Sequence, residues 1–360
     1  MADENVSAPL DAEAAAKAAF AAVANQGFPS DIFTAPQLRW AVVGCGVIAN
    51  QMAESLALAG RHLLGVQNRT RAKAEGFASA HGVERVYDTF ADLCADPDVD
   101  AVYVTTPHNT HIRYLREALA AGKHVLCEKS ITLNSAELDC ARALALANNV
   151  VLMDATTILH MPLYQVLLAR AKAGEFGRMN LAQVNFGSFK PYDPKSRFYN
   201  RGLAGGAVLD IGVYALSIMR LFMESAPTEV ASLGNTCETG VDVAGGAVCR
   251  NPEGQIGVIS LTLHSKQPKR AVISFDKCYI EVDQYPRADT ARIVWTEDGR
   301  VEEVSAGTEA YALCYEMADL ERAVAGDAEA ARLIDYAADV MSVMDKLRAD
   351  WGVVYPEEEK

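Results

Sequence analysis

The 360-residue sequence predicts an α/β protein with an N-terminal parallel sheet and a C-terminal, largely antiparallel, open-faced sheet. From residue 38 to about residue 153, short apolar runs alternate with longer amphipathic stretches, as in βαβ units with a buried parallel sheet. After residue 178, strand-like segments follow one another without helices, which favours antiparallel pairing with one open face. The length suits two domains with a sizeable core.

Five apolar runs predict the strands of the first sheet. Helices lie between them, and two of these helices end at Gly122 and at Asn148 and Asn149. The runs are RWAVVG, HLLGVQN, DAVYVTT, KHVLCE and NVVLMD. We expect an Ala-rich helical extension over residues 1–36, a first domain over 37–157 and a second over 158–360.

The second domain begins with a predicted helix over 162–173 and the strand MNLAQVNFGSF. A polar, aromatic loop, KPYDPKSRFYNRG, precedes a helix from about residue 206 to 222. The strands that follow are TEVASLGNT, VAGGAVCR, QIGVISLTLHS, RAVISF, CYIEVD and ARIVWT. Helices over 309–325 and 328–351 close the chain, and we expect the last helices to pack back on the first domain.

Composition and charge exclude several classes of function. The net charge of −14 argues against nucleic-acid binding, which needs a basic face. The sequence has no run of about 18 apolar residues and no basic, apolar leader, so we expect neither a membrane span nor a signal peptide. Its eight scattered cysteines indicate reduced thiols in a cytoplasmic protein, and no metal-ligand spacing is present.

A glycine motif follows the first predicted strand. Gly44, Gly46 and Ala49 fit G-x-G-x-x-A, with Val47 and Ile48 opening the helix. Gly44 permits a tight turn, Gly46 allows close approach of a pyrophosphate, and Ala49 allows the helix to pack closely on the sheet. The alternative is a strand–turn–helix that uses glycine without a ligand. The surrounding βαβ pattern favours a dinucleotide-binding Rossmann domain.

The end of the second strand indicates which dinucleotide is bound. An NAD site usually has Asp or Glu there, whereas this chain has Asn68 followed by Arg69, Thr70 and Lys73. These cationic and hydroxyl donors suit a 2′-phosphate, so NADP is favoured over NAD. The alternative is a solvated basic helix start.

Two downstream clusters carry side chains suited to chemistry. Glu128 and Lys129 end a strand, where ligands of open α/β sheets bind. Asp210 and Tyr214, after a Gly-Gly pair, are four residues apart, so on a helix they share one face. The alternatives are a surface lysine and a capped helix with an ordinary buried tyrosine.

The chain resembles the glucose–fructose oxidoreductase / inositol dehydrogenase / rhizopine-catabolism (Gfo/Idh/MocA) family from about residue 38 to 357. The resemblance is carried by VVGCGVIA, TTPHNTHIRYLREALAAGKHVLCEK, MDATTILHMP, AGGAVLDIGVY and WGVVYP. Tyr214 stands where histidine is usual, which is most similar to the glucose–fructose oxidoreductase and dimeric dihydrodiol dehydrogenase branch, whose members commonly use NADP. The chain departs from the family at Ser130 (usually Pro), Asp154 (commonly Glu) and Leu159 (frequently Arg).

The resemblance implies an oxidoreductase acting on a sugar, polyol or cyclic diol, and a homodimer or homotetramer formed through the open sheet. It places ribose and nicotinamide against Thr105, Thr106, Pro107, His108 and Asn109. Tyr214 would be the acid–base group, Lys129 would lower its pKa, and Asp210 would orient Lys129 or bind substrate. The alternatives are a nicotinamide-dependent glycosidase and a non-catalytic dinucleotide sensor.

We also expect substrate contacts from Arg197 and Tyr199 in the aromatic loop and from His160 near the domain junction. The loop could equally be a packing loop at a subunit interface, and His108 could be an ordinary loop histidine.

Overall fold

In the computed structural model, which describes residue 32 and residues 35–359, six parallel strands form the first sheet. Their order, β3-β2-β1-β4-β5-β6, reverses between β1 and β4 and opens a crevice at the carboxyl ends of these strands. Both strands are fully buried, which explains their continuous apolar runs. The strands are β1 (Trp40–Val43), β2 (Gly65–Gln67), β3 (Arg85–Tyr87), β4 (Ala101–Val104), β5 (His124–Cys127) and β6 (Leu152–Asp154).

Five helices connect these strands. They are α1 (Val47–Leu58), α2 (Arg71–His81), α3 (Phe90–Ala95), α4 (His111–Ala120) and α5 (Ser135–Ala147). The sequence did not predict β3, because three residues at a sheet edge, none fully buried, leave no apolar run to recognise.

The second sheet has eight strands in the order β14-β13-β12-β11-β7-β10-β9-β8. Adjacent strands are antiparallel except β7 and β10, which pair in parallel. The strands are β7 (Met179–Gly187), β8 (Glu229–Thr236), β9 (Asp242–Arg250), β10 (Ile256–Thr262), β11 (Gln267–Phe275), β12 (Cys278–Asp283), β13 (Thr290–Trp295) and β14 (Val301–Ser305). The predicted α/β class, with a parallel and a largely antiparallel sheet, is confirmed; the edge strand β14 was missed because it is short and acidic.

Helices cover one face of the second sheet. Residues Val208–Gly212 form a π-helical turn that continues into α7 (Val213–Phe222), so the helix predicted over 206–222 has two parts. α6 (Pro162–Lys172) precedes β7. The opposite face is open and exposes apolar side chains such as Leu181, Val248 and Ile256.

The last helices join the two sheets. They are α8 (Ala312–Val324), α9 (Ala328–Ala331) and α10 (Leu333–Trp351). On α8, the buried Glu321 accepts hydrogen bonds from Leu38 N (3.0 Å) and Trp40 Nε1 (2.9 Å), next to β1. On α10, Trp351 Nε1 donates to Ser232 Oγ of β8 (3.1 Å). The two sheets are therefore held together by helices from the end of the chain.

The predicted extension over residues 1–36 lies almost entirely outside the described residues. Among the described residues, one helical stretch, Arg201–Phe222, is long and apolar enough to cross a membrane, but 83% of its most apolar part is buried inside the fold. Such burial is what a core helix requires.

Candidate active site

The glycine turn joins the carboxyl ends of β1, β2 and β4. Gly44 has a φ of +99°, and a Cβ there would lie 2.6 Å from Thr105 Oγ1. Its amide donates to Gln67 O (2.9 Å), while Thr105 Oγ1 donates to Val43 O (3.0 Å). A side chain at residue 44 would thus be strained and would clash.

The N-terminus of α1 is open towards this crevice. Gly46 is the N-cap residue, no side chain caps the helix among the described residues, and a Cβ at Gly46 would meet nothing within 4 Å. Val47 is 78% exposed. The buried Gln67 Oε1, at the end of β2, also has no hydrogen-bond partner in the described part of the chain. Free amides, space and an unpartnered polar atom fit a dinucleotide whose pyrophosphate lies at the helix N-terminus.

The residues after β2 present unneutralised positive charge. Asn68 Nδ2 donates to Thr70 O (3.1 Å), and Thr70 is the N-cap residue of α2. Arg69 and Lys73 are exposed, and neither forms an ion pair with a carboxylate in the range 35–359. This arrangement fits a phosphate on the adenosine ribose.

The segment after β4 lines the same crevice. Pro107 precedes a 3₁₀ turn, His108–Thr110, and Thr106 Oγ1 accepts a hydrogen bond from Thr110 Oγ1 (2.9 Å). His108 Nε2 lies 3.1 Å from Lys129 O, and the pKa of His108 is lowered to about 3, mainly by burial. Asn109 Nδ2 donates to Gly202 O (3.1 Å) and Glu357 Oε1 (2.7 Å). His108 is therefore neutral. Asn109 connects this segment, in the first lobe (the part of the chain that forms the first sheet), to the second lobe (the part that forms the second sheet and the C-terminal helices).

Glu128 and Lys129 follow β5 and have different environments. Glu128 is buried and accepts a hydrogen bond from the Tyr103 hydroxyl, and burial raises its pKa. Lys129 Nζ points across the crevice and donates to Asp210 O (2.7 Å), with the Asp210 carboxylate 3.6 Å away. Burial alone would lower the pKa of Lys129, but Tyr214, Asp210 and Glu128 outweigh it, so the pKa is raised and the side chain is an ammonium.

Carbonyl groups of the π-helical turn accept hydrogen bonds from two consecutive residues of the first lobe, Lys129 and Ser130. Besides Lys129, Ser130 Oγ donates to Leu209 O (2.9 Å), and the peptide bond between Lys129 and Ser130 is cis. π-Helical turns occur often at functional sites. Successive carbonyls of the turn thus bind successive side chains of the β5 loop.

Lys129 and Tyr214 meet at the centre of the crevice. Lys129 Nζ lies 4.5 Å from the centroid of the Tyr214 ring, and the Tyr214 hydroxyl has no hydrogen-bond partner among the described residues. The expected net lowering of the Tyr214 pKa is wrong. Burial raises this pKa, and Glu128 and Asp210 raise it further, which outweighs the opposing effects of Lys129 and Arg287. Tyr214 is a neutral phenol at neutral pH.

The structure places the three predicted substrate contacts differently. Arg197 is exposed at the crevice and lies 3.2 Å from the Asp210 carboxylate. Tyr199 is fully buried and donates to Lys190 O (2.8 Å). His160 is also fully buried, between the Asp319 carboxylate (2.8 Å) and Asp154 O (2.8 Å). The predicted substrate contacts from Tyr199 and His160 are therefore wrong, because neither side chain reaches the crevice. Both side chains pack in the core instead.

Asp242 supports the site, and sequence reasoning missed it. Its carboxylate accepts a hydrogen bond from Val208 N (2.6 Å) at the start of the π-helical turn. The same carboxylate packs so closely against Gly206 that a Cβ there would clash with it. Burial raises the pKa of Asp242 to about 6. No local pattern marks it, since it lies 32 residues beyond Asp210 on β9. In the sequence, Ser130 is marked only by its departure from the proline that is usual in the family.

A cavity of about 490 Å³ lies between helices α6 to α10, and none of the predicted site residues lines it. Among the described residues, no group of three His, Cys, Asp or Glu side chains is placed to hold a metal ion.

Family models match both parts of the chain. Residues 38–156 match the oxidoreductase family with an NAD-binding Rossmann fold, and residues 164–281 match the GFO/IDH/MocA C-terminal domain. The chain is 30% identical over 251 residues to the trans-1,2-dihydrobenzene-1,2-diol dehydrogenase of Mus musculus, covering 69% of this chain and 75% of the relative. The Sus scrofa enzyme of the same name is 26% identical over 333 residues, covering 89% and 99%.

Solved structures share the fold. The aldose-aldose oxidoreductase from Caulobacter crescentus, complexed with glycerol, has a TM-score of 0.77 at 23% identity, covering 86% of this chain and 96% of that one. A 3-ketoreductase from Actinomadura kijaniata, in complex with NADP and TDP-benzene, has a TM-score of 0.73 at 22% identity, covering 87% and 98%.

The buried Asp154 gives the first testable prediction. Burial raises its pKa from 3.8 to about 7. The folded state therefore binds more protons than the unfolded state between these values, and stability falls as pH rises from about 4 to about 7. Asp154→Asn removes this dependence, so we expect the Tm of the variant minus that of the wild type to increase from pH 5 to pH 8.

Asp96→Asn is the control of opposite sign. Hydrogen bonds from Tyr87 and from the Asp98 amide lower the pKa of Asp96 to about 2, so this carboxylate stabilises the fold above its unfolded pKa. The Asp96→Asn difference in Tm should become more negative between pH 3 and pH 5. A Tm difference for Asp154→Asn that does not change with pH would contradict the assignment.

Proposed function

We propose a function from one premise: the chain belongs to the Gfo/Idh/MocA family of oxidoreductases. It transfers hydride between NADP and a carbinol or carbonyl carbon of a sugar, polyol or cyclic diol. The observation that carries the proposal is the contact of Lys129 with Tyr214, in which an ammonium from one lobe lies over a phenol of the other. The unpartnered Tyr214 hydroxyl supplies the proton-transfer group that such a reaction needs.

The crevice offers a complete set of groups for a dinucleotide. Gly44, Gly46, Val47 and Ile48 would hold the pyrophosphate, and Asn68, Arg69, Thr70 and Lys73 the adenosine ribose with its 2′-phosphate. The residues that would contact the nicotinamide riboside are Thr105, Thr106, Pro107, His108, Asn109, Glu128 and Lys129. When bound, the nicotinamide supplies the hydride acceptor or donor.

Tyr214 exchanges a proton with the substrate oxygen. Because its pKa is raised, the phenol is protonated and is ready to donate during carbonyl reduction. Lys129 holds the same oxygen and stabilises negative charge on the phenolate once the proton has left. Asp210, whose pKa is lowered because Lys129 and Arg197 outweigh its burial, remains a carboxylate and fixes the Lys129 ammonium. A dinucleotide sensor would need none of these three groups, which favours an enzyme.

The open face of the second sheet is the proposed contact between two copies of this chain. Leu181 of β7 pairs in register with Ile256 of β10, and Val258 of β10 with Val248 of β9. Leu181, Ile256 and Val248 are 40%, 36% and 48% exposed, which leaves an apolar strip across the sheet. Burial of such a strip drives association, so a homodimer, or a homotetramer built from it, is proposed.

The state of the cysteines supports a reducing compartment. All eight lie in the described part of the chain, and none forms a disulfide. We place the protein in the cytoplasm on this basis.

The role of Tyr214 is tested by Tyr214→Phe, which removes only the hydroxyl. We expect kcat to fall by about 10²–10⁴-fold, with an unchanged Kd for NADPH measured by fluorescence titration. Tyr192→Phe, in the exposed loop, is the matched control and should retain full turnover. A Tyr214→Phe enzyme with wild-type kcat would remove this tyrosine from the mechanism.

The NADP preference is tested by Arg69→Ala. Loss of a charge-assisted contact to the 2′-phosphate should raise the KM for NADP by about 10–100-fold and leave the KM for NAD nearly unchanged. Arg71→Ala is the control, because Arg71 already pairs with Glu75 and Asp88. An equal effect of Arg69→Ala on both cofactors would rule out a 2′-phosphate contact.

The proposed interface is tested by Leu181→Glu. A charge in the apolar strip should convert the oligomer into monomers in sedimentation equilibrium while the circular dichroism spectrum stays unchanged. Leu146→Glu, at an 84% exposed position on α5, is the control and should leave the oligomer intact. Oligomers that persist with Leu181→Glu would place the interface elsewhere.

A further inference from the structure

The crevice beyond Tyr214 is lined by lysines that have no carboxylate partner. Lys190 and Lys269 form no ion pair with any described residue, although the chain as a whole carries a net charge of −14. Both are only partly exposed. Although the protein has many more acidic than basic residues, these two ammonium groups are thus not paired directly with a carboxylate.

A β-bulge places Lys269 on the inner face of the second sheet. The register of β11 against β7 shifts between Gln267 and Arg270, and Arg270 points to the open face, where it pairs with Glu281. The neighbouring Lys269 points to the other face, and its Nζ lies 5.0 Å from the centroid of the Phe186 ring. Bulges next to active sites commonly redirect a side chain in this way.

Ring contacts connect Lys269 to the reaction centre. The Phe186 and Tyr214 ring centroids are 5.9 Å apart. The Lys269 ammonium therefore lies no farther from the Tyr214 ring than the sum of these two short distances. A single sugar ring with one exocyclic substituent spans such a separation.

Lys190 and Arg197 approach the same space from the loop after β7. Lys190 Nζ lies 4.5 Å and the Arg197 guanidinium carbon 4.3 Å from the centroid of the Phe198 ring. The Lys190 amide donates to Leu263 O (2.8 Å), which ties the loop to the end of β10. Burial lowers the pKa of Lys269, and the nearby Lys190 lowers it further, whereas Glu309 opposes the shift.

These cations are separate from the groups that suit the dinucleotide phosphates. The free N-terminus of α1 and Arg69 lie at the carboxyl ends of β1 and β2 in the first sheet. Lys269 belongs to β11 of the second sheet and Lys190 to the loop after β7, beyond Tyr214. Arg197 is already shared with Asp210. Neither Lys190 nor Lys269 has a carboxylate of the described residues within ion-pair distance, and the effect of Glu309 on Lys269 is outweighed by burial and by Lys190. This arrangement favours an anion that the ligand brings.

We propose that the substrate is an anion: a sugar, polyol or cyclic alcohol whose carboxylate or phosphate binds Lys269 and Lys190 while its reacting carbon lies at Tyr214. This inference rests on the proposed function and adds the charge of its substrate. Carboxylate and phosphate share the chemistry that two ammonium groups recognise.

The experiment compares three hexoses on the NADPH-loaded protein. D-glucose, D-glucuronate and D-glucose 6-phosphate are titrated while NADPH fluorescence is followed, and each is then assayed with NADP⁺ at about 340 nm, where NADPH absorbs. We expect one or both anions to bind at least about tenfold more tightly than glucose. This preference should weaken as ionic strength rises. The stronger of the two anions identifies the acid group.

Variants locate the anion site. Lys269→Met and Lys190→Met remove the charge and keep an apolar stem. Each should therefore weaken binding of the preferred anion by about 10–100-fold and leave the affinity for glucose unchanged. Lys277→Met, in the turn between β11 and β12, removes the same charge and should change the affinity for neither glucose nor the anion. Equal affinities for glucose and both anions, including no binding of any of them, would overturn the inference, as would equal losses for glucose and the anion in Lys269→Met.

The two proposals fail in different ways. Selective, Lys269-dependent anion binding without any NADP⁺ reduction would leave the anion site standing and contradict the oxidoreductase reaction. If glucose is turned over at least as efficiently as both anions, the oxidoreductase reaction stands and the anion site is contradicted.

Discussion

The contact of the Lys129 ammonium with the second lobe is the interaction on which the site depends. A charge that is nearly buried is costly unless it is paired. Lys129 meets this requirement through Asp210, whose carbonyl accepts its hydrogen bond and whose carboxylate lies 3.6 Å away. The same contact sets the ammonium 4.5 Å from the Tyr214 ring. One set of interactions thus stabilises the buried charge and brings together the two groups suited to proton transfer.

Several distant parts of the chain hold this contact in place. β5 leads directly into Glu128 and Lys129, and carbonyls of the π-helical turn of residues 208–212 accept hydrogen bonds from Lys129 and Ser130. Asp242 fixes the start of that turn. The C-terminal segment closes the arrangement, because the Tyr355 hydroxyl donates to Gly205 O (2.7 Å) and Glu357 accepts from Asn109.

The sequence carries the fold through its periodicity, because buried parallel strands are continuously apolar and half-buried strands alternate. It fails where local pattern is weak: β3 has three partly buried residues, and β14 is an acidic edge strand. Motif spacing also predicts the glycine turn as a dinucleotide site, and it marks Lys129, Asp210 and Tyr214 as candidate catalytic residues. It could not show that Tyr199 and His160 face the core, since their burial comes from packing against residues distant in the chain. The prediction that the Tyr214 pKa is lowered is wrong for a related reason. The sequence indicates Lys129 as a neighbouring cation, whereas the burial that raises this pKa is a property of the whole fold.

Charge is distributed unevenly over the molecule. Among the cations of this acidic chain, Arg69 and Lys73 after β2 and Lys190 and Lys269 beyond Tyr214 have no carboxylate of the described residues within ion-pair distance. A crystal structure of the protein with NADP⁺ tests the central arrangement most directly. We expect the nicotinamide C4 to face the space between the Lys129 ammonium and the Tyr214 hydroxyl, with room for one substrate carbon. A nicotinamide ring outside this space, with Lys129 and Tyr214 turned away from it, would contradict the convergence of the two lobes on the cofactor.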